Sequence, residues 1–376
     1  MNRPKTAVRR VKVEAGSRTY RVVIGPGLLS TAGRLIEETG QAGKCLIVTD
    51  KKVAGLHLER LLEALKNSPV EATCTLFSGR GESRKTLSTV AGVYRALCQG
   101  QFYRDDLVIN LSGGMLGDLA GYAAATFMRG MRWIQFPTTL LSQVDASVGG
   151  KVGVNLPQGK NLVGTFYQPW MVVCDTEALM TLPERTYRSG LAEVVKMAVA
   201  FDRTFFELLR DRRAAVANRD PDILAEVIER SVTLKANVVG RDEQEHGYRM
   251  TLNYGHTLGH ALEKAAGYRS LTHGEAVSLG MCAAAELAHE LGLLSERDVT
   301  EQCNLLQSFG LPVRLSGNKG KKVRTDEVLA AVSADKKHRH GGLRLVLPTG
   351  IGTVEIQSDV PVKTMERVFR VFLERG

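Results

Sequence analysis

Leu107-Val-Ile-Asn-Leu-Ser-Gly-Gly-Met-Leu-Gly-Asp118, running on into LAGYAAATF, joins an apolar run of strand length to an alanine-rich helical pattern through paired glycines. At such a junction, backbone N–H groups at a helix start can approach a phosphate closely. The pattern is GGxxGD rather than GxGxxG, so a tight strand-to-helix turn without a ligand fits it equally well. The same alternation continues on both sides. TYRVVIG, KCLIVTD, CTLFS, WIQFPTT and MVVCDTE are further strand candidates, with VAGLHLERLLEALK and LSTVAGVYRALCQG as helical patterns among them. This alternation predicts a Rossmann-like, dinucleotide-binding α/β domain with a mostly parallel sheet.

Open α/β sheets bind ligands at the carboxyl ends of their strands. Asp50 closes KCLIVTD, where an acid can hold a ribose hydroxyl pair, while Gly81-Glu-Ser-Arg-Lys85 and Pro137-Thr-Thr139 follow other strands. A second glycine-rich stretch runs from Gln143 through Asp145, Gly149-Gly150-Lys151 and Asn155 to Gly159-Lys160-Asn161. Lysines and an asparagine in such backbone suit an anion, although a solvent-exposed Gly/Lys-rich hairpin would look the same in isolation.

After about residue 180 the character changes to long Ala/Leu/Glu-rich helical segments, SGLAEVVKMAVA, PDILAEVIERSVTLKANVV and GEAVSLGMCAAAELAHELG. LRLVLP and GTVEI then suggest a hairpin, and VKTMERVFRVFLERG a closing helix. Two domains are expected, residues 1–180 as the α/β part and 181–376 as a mainly α-helical metal- and substrate-binding part. Within the second, Arg249–Glu275 (RMTLNYGHTLGHALEKAAGYRSLTHGE) gathers three of the eight histidines. His256 and His260 share a helical face, and Thr272-His-Gly-Glu275 reads as a capping box that starts a second helix at His273. The positive end of a helix favours the neutral, metal-binding imidazole. A zinc-type site is therefore plausible, and helix-surface histidines are the plainer alternative. Glu193 and Lys196 lie three apart on one helical face; they read as a salt bridge or, given their apolar surroundings, as a buried carboxylate able to complete a His/His/Glu site.

Bulk properties bound the function. The chain has 376 residues, 44% hydrophobic and 24% charged, with no apolar stretch near membrane-spanning length. The six cysteines are far apart and mostly inside apolar runs, which suggests reduced, buried thiols and a cytoplasmic protein without an N-terminal secretion signal. The net charge of +10 implies an anionic partner. No nucleic-acid-binding motif accompanies it, so a small phosphorylated, acidic substrate is the better expectation. The densest basic clusters are 319–324, which suits a solvated loop, and 336–344, which suits an anion site.

With these motifs in hand the chain resembles the 3-dehydroquinate synthase family of sugar phosphate cyclases along nearly its whole length. The matching segments, in the family's order, are GGMLGDLAGYAAATFMRG, FPTTLLSQVDASVGGKVGVN, GKNLVGTFYQP, GLAEVVK, LNYGHTLGHALE and HGEAV, with DKK at 335–337. The resemblance implies conversion of 3-deoxy-D-arabino-heptulosonate 7-phosphate to 3-dehydroquinate and phosphate in the shikimate route. The steps it implies are transient oxidation by NAD, phosphate elimination, re-reduction and aldol closure. It also implies one divalent metal, zinc first and cobalt second, held by Glu193, His256 and His273. His260 then belongs to the phosphate, with Lys151, Asn161, Asn253 and a lysine of the pair Lys336 and Lys337. Arg129 would reach the phosphate of a neighbouring subunit, implying a homodimer. Lys235 and Arg249 would hold the carboxylate, and Asp145, Lys196 and Glu245 the hydroxyl groups. NAD contacts would come from Asp50, Glu82, Lys85, Gly113, Gly114, Met115, Asp118, Thr138, Thr139 and Lys160.

The chain departs from the family's usual pattern at Ser112, Val152 and Met197. Met197 resembles the related cyclases that form valiolone-type rings from sedoheptulose 7-phosphate. Asn253 and His260, which those cyclases lack, favour the dehydroquinate synthases. A metal-dependent polyol dehydrogenase, such as the glycerol dehydrogenases whose architecture is similar, and a basic nucleic-acid-binding protein are the rival classes; the second leaves the three histidines unexplained.

Overall fold

The computed structural model describes residues 7–77, 81–268, 270–315, 324–338 and 344–375, without the side chains of 333–338. The chain forms two compact units, Met1–Pro183 with Arg219–Gln244, and Glu184–Asn218 with Glu245–Gly376. The first unit thus takes in the helix Pro221–Arg241 from the later half of the chain, an excursion that a single division near residue 180 does not describe.

The first unit is built on a seven-stranded sheet. Its strands are β1 (Arg9–Ala15), β2 (Arg18–Gly25), β3 (Gly43–Asp50), β4 (Val70–Phe77), β5 (Leu107–Ser112), β6 (Arg132–Pro137) and β9 (Met171–Asp175). Their order is β1-β2-β9-β6-β5-β3-β4, parallel except for the antiparallel β1–β2 pair. Every residue of β5 is buried, as a central strand covered on both faces requires. By contrast β1, at the edge, alternates buried and exposed residues. Successive β3 side chains enter two different cores: Cys45 and Ile47 pack with Leu35, Leu61 and Ile109, whereas Leu46 and Val48 pack with Val90, Leu116 and Trp133. All the predicted strands are present. The hairpin of β7 (Lys151–Leu156) and β8 (Gly159–Phe166) carries the second glycine-rich stretch.

In the second unit, long helices span Glu184–Phe201, His256–Ala265, His273–Glu290 and Glu296–Ser308, and Val362–Glu374 closes the chain. The predicted hairpin is β10 (Leu345–Gly350) with β11 (Thr353–Gln357). No helix among the described residues is long and apolar enough to cross a membrane. The expectation of buried thiols holds for three of the six cysteines. Cys45, Cys174 and Cys282 are buried, but Cys74 and Cys98 are exposed and Cys303 is intermediate. Cys74 lies on the edge strand β4 and Cys98 near the end of the helix Leu87–Gln99, where one side of an apolar-looking run still faces water.

Candidate functional site

In the first unit, β5 ends at Ser112 and Gly113 precedes the helix Gly114–Thr126 in extended conformation, with no side-chain cap at this N-cap position. A helix start left open in this way offers donors and the positive end of a dipole to an anion. A Cβ on Gly113 would come within 3.0 Å of Thr139, and one on Gly114 within 3.0 Å of Ala146, so side chains would crowd this turn. Asp118 stands one turn into the helix, 2.5 Å from Lys85 Nζ, which also donates to Asn161 Oδ1 at 2.6 Å. Lys85 is only 3% exposed. Burial pushes the Asp118 carboxyl up to about 6 against the pull of Lys85.

Glu82 accepts from Asn155 Nδ2 at 2.8 Å, and Asn155 Oδ1 accepts from Asn161 N at 2.8 Å, which joins the turn after β4 to the β7–β8 hairpin. Asn155 is a linking residue that the sequence reading quoted without assigning a role. Asp50 accepts from the amides of Lys52 and Val53 and so caps the helical turn after β3. Thr138 is buried beside Thr139, and Met115 and Lys160 are partly exposed. Lys235, from the helix Pro221–Arg241, pairs with Asp145 at 2.6 Å and donates to its carbonyl at 2.5 Å. Lys151 lies exposed at the start of β7. Arg129 is exposed in a turn whose residues Met128, Arg129 and Gly130 all have positive φ, 46°, 63° and 123°. Such conformations cost energy in non-glycine residues and are retained where a side chain has to be aimed.

In the second unit, three helices converge. Glu193, wholly buried on Glu184–Phe201, places Oε1 3.0 Å from His273 Nε2 and 3.5 Å from His256 Nε2. Lys196 Nζ lies 2.6 Å from its other oxygen. One ligand atom from each of Glu193, His256 and His273 lies within 4.8 Å of the others. Glycines make this approach feasible. A Cβ on Gly274 would lie 2.0 Å from the carbonyl of Ser189. Gly255, at φ 77°, starts the His256 helix, and a Cβ on Gly280 would meet its carbonyl at 1.9 Å. Only glycine allows these backbones so close, a signal present in the sequence but not read from it. The capping box at Thr272 and Glu275 forms as predicted.

Backbone geometry also fixes protons. His256 Nδ1 lies 3.0 Å from the carbonyl of Tyr254, which can only accept, so Nδ1 carries the hydrogen. Burial drives the His256 pKa down, with Glu193 opposing. Burial also lowers His273, but Glu193 and Glu263 outweigh it and hold this imidazole up to about 10. For Glu193 itself burial raises the pKa, yet Lys196, His256 and His273 together keep the carboxyl well below its ordinary range.

His260 extends into solvent from the same helix, with its ring 5.1 Å from that of His256. Asn253 donates to Glu245 at 3.2 Å, Glu245 has a φ of 61°, and Arg249 is 1% exposed. Lys336 and Lys337 fall on the helix Thr325–His338, but their side chains lie outside the described residues, as does most of the cluster 319–324. Val152 and Met197, the two apolar departures, are buried among core side chains, and Ser112 donates to Asn110 at 2.6 Å.

Residues 75–189 match the family described as 3-dehydroquinate synthase N-terminal, and residues 190–338 the one described as 3-dehydroquinate synthase C-terminal. The chain belongs to the 3-dehydroquinate synthase family. The 3-dehydroquinate synthase of Desulforamulus reducens is 43% identical over 350 residues, 93% of this chain and 96% of that protein. Among solved structures, the 2-epi-5-epi-valiolone synthase of Streptomyces hygroscopicus, with NAD+ and Zn2+ bound, matches with a TM-score of 0.86 at 30% identity over 100% of both chains. A 2-deoxy-scyllo-inosose synthase, complexed with carbaglucose-6-phosphate, NAD+ and Co2+, matches with a TM-score of 0.87 at 27% identity over 97% of this chain and 100% of that one.

Proposed function

We infer that this chain is a 3-dehydroquinate synthase, converting 3-deoxy-D-arabino-heptulosonate 7-phosphate into 3-dehydroquinate and phosphate with NAD and one divalent metal. The carrying observation is the Glu193 cluster. Ligand atoms of Glu193, His256 and His273 converge within 4.8 Å of one another around a wholly buried carboxylate, the spacing that donors to one shared cation adopt. Two imidazoles and one carboxylate, a three-donor set that in tetrahedral coordination leaves a fourth position for an oxygen ligand, suit zinc or cobalt. The open helix start after β5 suits a dinucleotide phosphate. The cyclase structures that hold NAD+ with Zn2+ or Co2+ support both assignments.

When bound, NAD takes a hydride from a substrate alcohol and returns it, while the metal polarises that oxygen. The protein's own groups position the substrate and neutralise its charge. Glu193, His256 and His273 would hold the ion, and Lys196 keeps Glu193 ionised. Lys151, Asn161, Asn253, His260 and a lysine of Lys336 and Lys337 would take the phosphate, with Lys235 and Arg249 on the carboxylate. Asp145, Lys196 and Glu245 would orient the hydroxyl groups. Asp50, Glu82, Lys85, Gly113, Gly114, Met115, Asp118, Thr138, Thr139 and Lys160 would line the NAD site. Arg129, exposed on its turn, would reach the phosphate of a second copy in a homodimer, as the family resemblance implies.

The test is release of inorganic phosphate by purified protein loaded with zinc and NAD, with sedoheptulose 7-phosphate as a parallel substrate. Phosphate from the heptulosonate phosphate with no lasting NADH absorbance is expected. Turnover of the sedoheptulose phosphate alone would make the protein a valiolone-type cyclase instead, and stoichiometric NADH a polyol dehydrogenase.

A further inference from the structure

We propose that Glu263 is a positioning residue that sets the orientation of His273 and thereby the strength of the metal site. The proposal rests on the reading of Glu193, His256 and His273 as metal ligands. The His273 ring stands between two carboxylates: Nε2 lies 3.0 Å from Glu193 Oε1, and Nδ1 lies 3.6 Å from Glu263 Oε2, an ion-pair distance just beyond a direct hydrogen bond. Glu263 is 7% exposed, so its carboxylate needs a partner that compensates for lost water. It sits seven residues beyond His256 on the same helix and therefore on the same face. One helix thus supplies a ligand through His256 and a brace for the ligand carried by another helix.

The two histidines are braced by different means. The Tyr254 carbonyl accepts from His256 Nδ1 at 3.0 Å, whereas the group nearest the corresponding nitrogen of His273 is a carboxylate 3.6 Å away, within reach of a hydrogen bond after a small shift. An acceptor on the second ring nitrogen fixes the tautomer and makes the metal-facing nitrogen more basic. Ligand atoms of Glu263, His260 and His273 also lie within 4.8 Å of one another, so the same carboxylate stands near the imidazole assigned to the phosphate.

The experiment measures zinc affinity of the full-length protein by competition with a chromophoric chelator, alongside the visible spectrum of the cobalt-loaded form. Variants are Glu263→Leu, Glu263→Gln and, as reference, His273→Ala. Removing the acceptor in Glu263→Leu should weaken zinc binding about 10- to 100-fold and shift the cobalt bands. Glu263→Gln keeps an acceptor and the shape, and should recover most of the affinity and the spectrum. It also keeps the proposal testable should the leucine variant not fold. Wild-type affinity and spectrum in both Glu263 variants, with zinc lost in His273→Ala, would overturn the role of Glu263 alone. Zinc retained in His273→Ala would overturn the metal site and this proposal together. A carboxylate that merely stabilises the helix would lower the melting temperature of the metal-free variants without moving either metal readout.

Discussion

Two lysine–carboxylate pairs of nearly equal length behave in opposite ways. Lys85 and Asp118 meet at 2.5 Å, Lys196 and Glu193 at 2.6 Å. Yet Asp118 is pushed up to about 6 while Glu193 is held well below its ordinary range. Glu193 is the more deeply buried, 0% exposed against 26% for the Asp118 side chain, so burial alone would predict the reverse order. The difference lies in the company. Asp118 has Lys85, which it shares with Asn161, and a weaker pull from Lys235 that Glu82 opposes; Glu193 has a lysine and two imidazoles turned toward it. A contact distance does not report the charge state of a buried acid; the count of groups facing it does.

The largest effect that would break this contrast is loss of an imidazole. His273→Ala should abolish stoichiometric zinc and lower turnover by about 10³ or more, since Lewis-acid stabilisation is worth several kcal/mol. Metal analysis with kinetics checks this, and full zinc content would refute it. Next, Lys196→Met should destabilise the metal-free protein by about 3–5 kcal/mol, because a buried charge then loses its partner. Saturating zinc should restore part of that in denaturant melts. Equal losses with and without zinc would mean that no cation shares Glu193.

Lys85→Met should cost less, about 1–3 kcal/mol, because water can reach the partly exposed Asp118. Weaker NAD binding by calorimetry should accompany it. A loss matching that of Lys196→Met would erase the distinction between the two pairs. The smallest effect is on pH. The folded-state pKa of Asp118 is raised, so its contribution to stability is present in full below its ordinary value and disappears as pH rises through about 6. Relative to Asp118→Asn, the wild type should lose on the order of 1 kcal/mol between about pH 4 and about pH 7, discounted for partial exposure. A flat difference in melting temperature would count against the raised pKa.

Much of the fold was readable in the chain. Strands such as KCLIVTD and DLVINLS declare themselves because a doubly covered parallel strand has no polar face. The capping box at Thr272 is likewise local and formed as expected. Site chemistry was harder to read. Histidine spacing paired His256 with His260, whereas the structure brings His256 and His273 to Glu193 and leaves His260 exposed. Helical periodicity reports which residues share a face of one helix and is silent about where another helix crosses it. Asn155, Tyr254 and Glu263 were missed for the same reason, since their contacts are made to residues distant in sequence or through the backbone.

Local patterning therefore settled the element types, the sheet class and the reservoir of acids, lysines and histidines, because propensity and periodicity act over a few neighbours. Packing decided which three of those side chains surround one point, since that depends on backbones touching at Gly255, Gly274 and Gly280. It also decided which of two similar acids is the more readily protonated, because protonation follows the full set of groups that burial gathers around an acid.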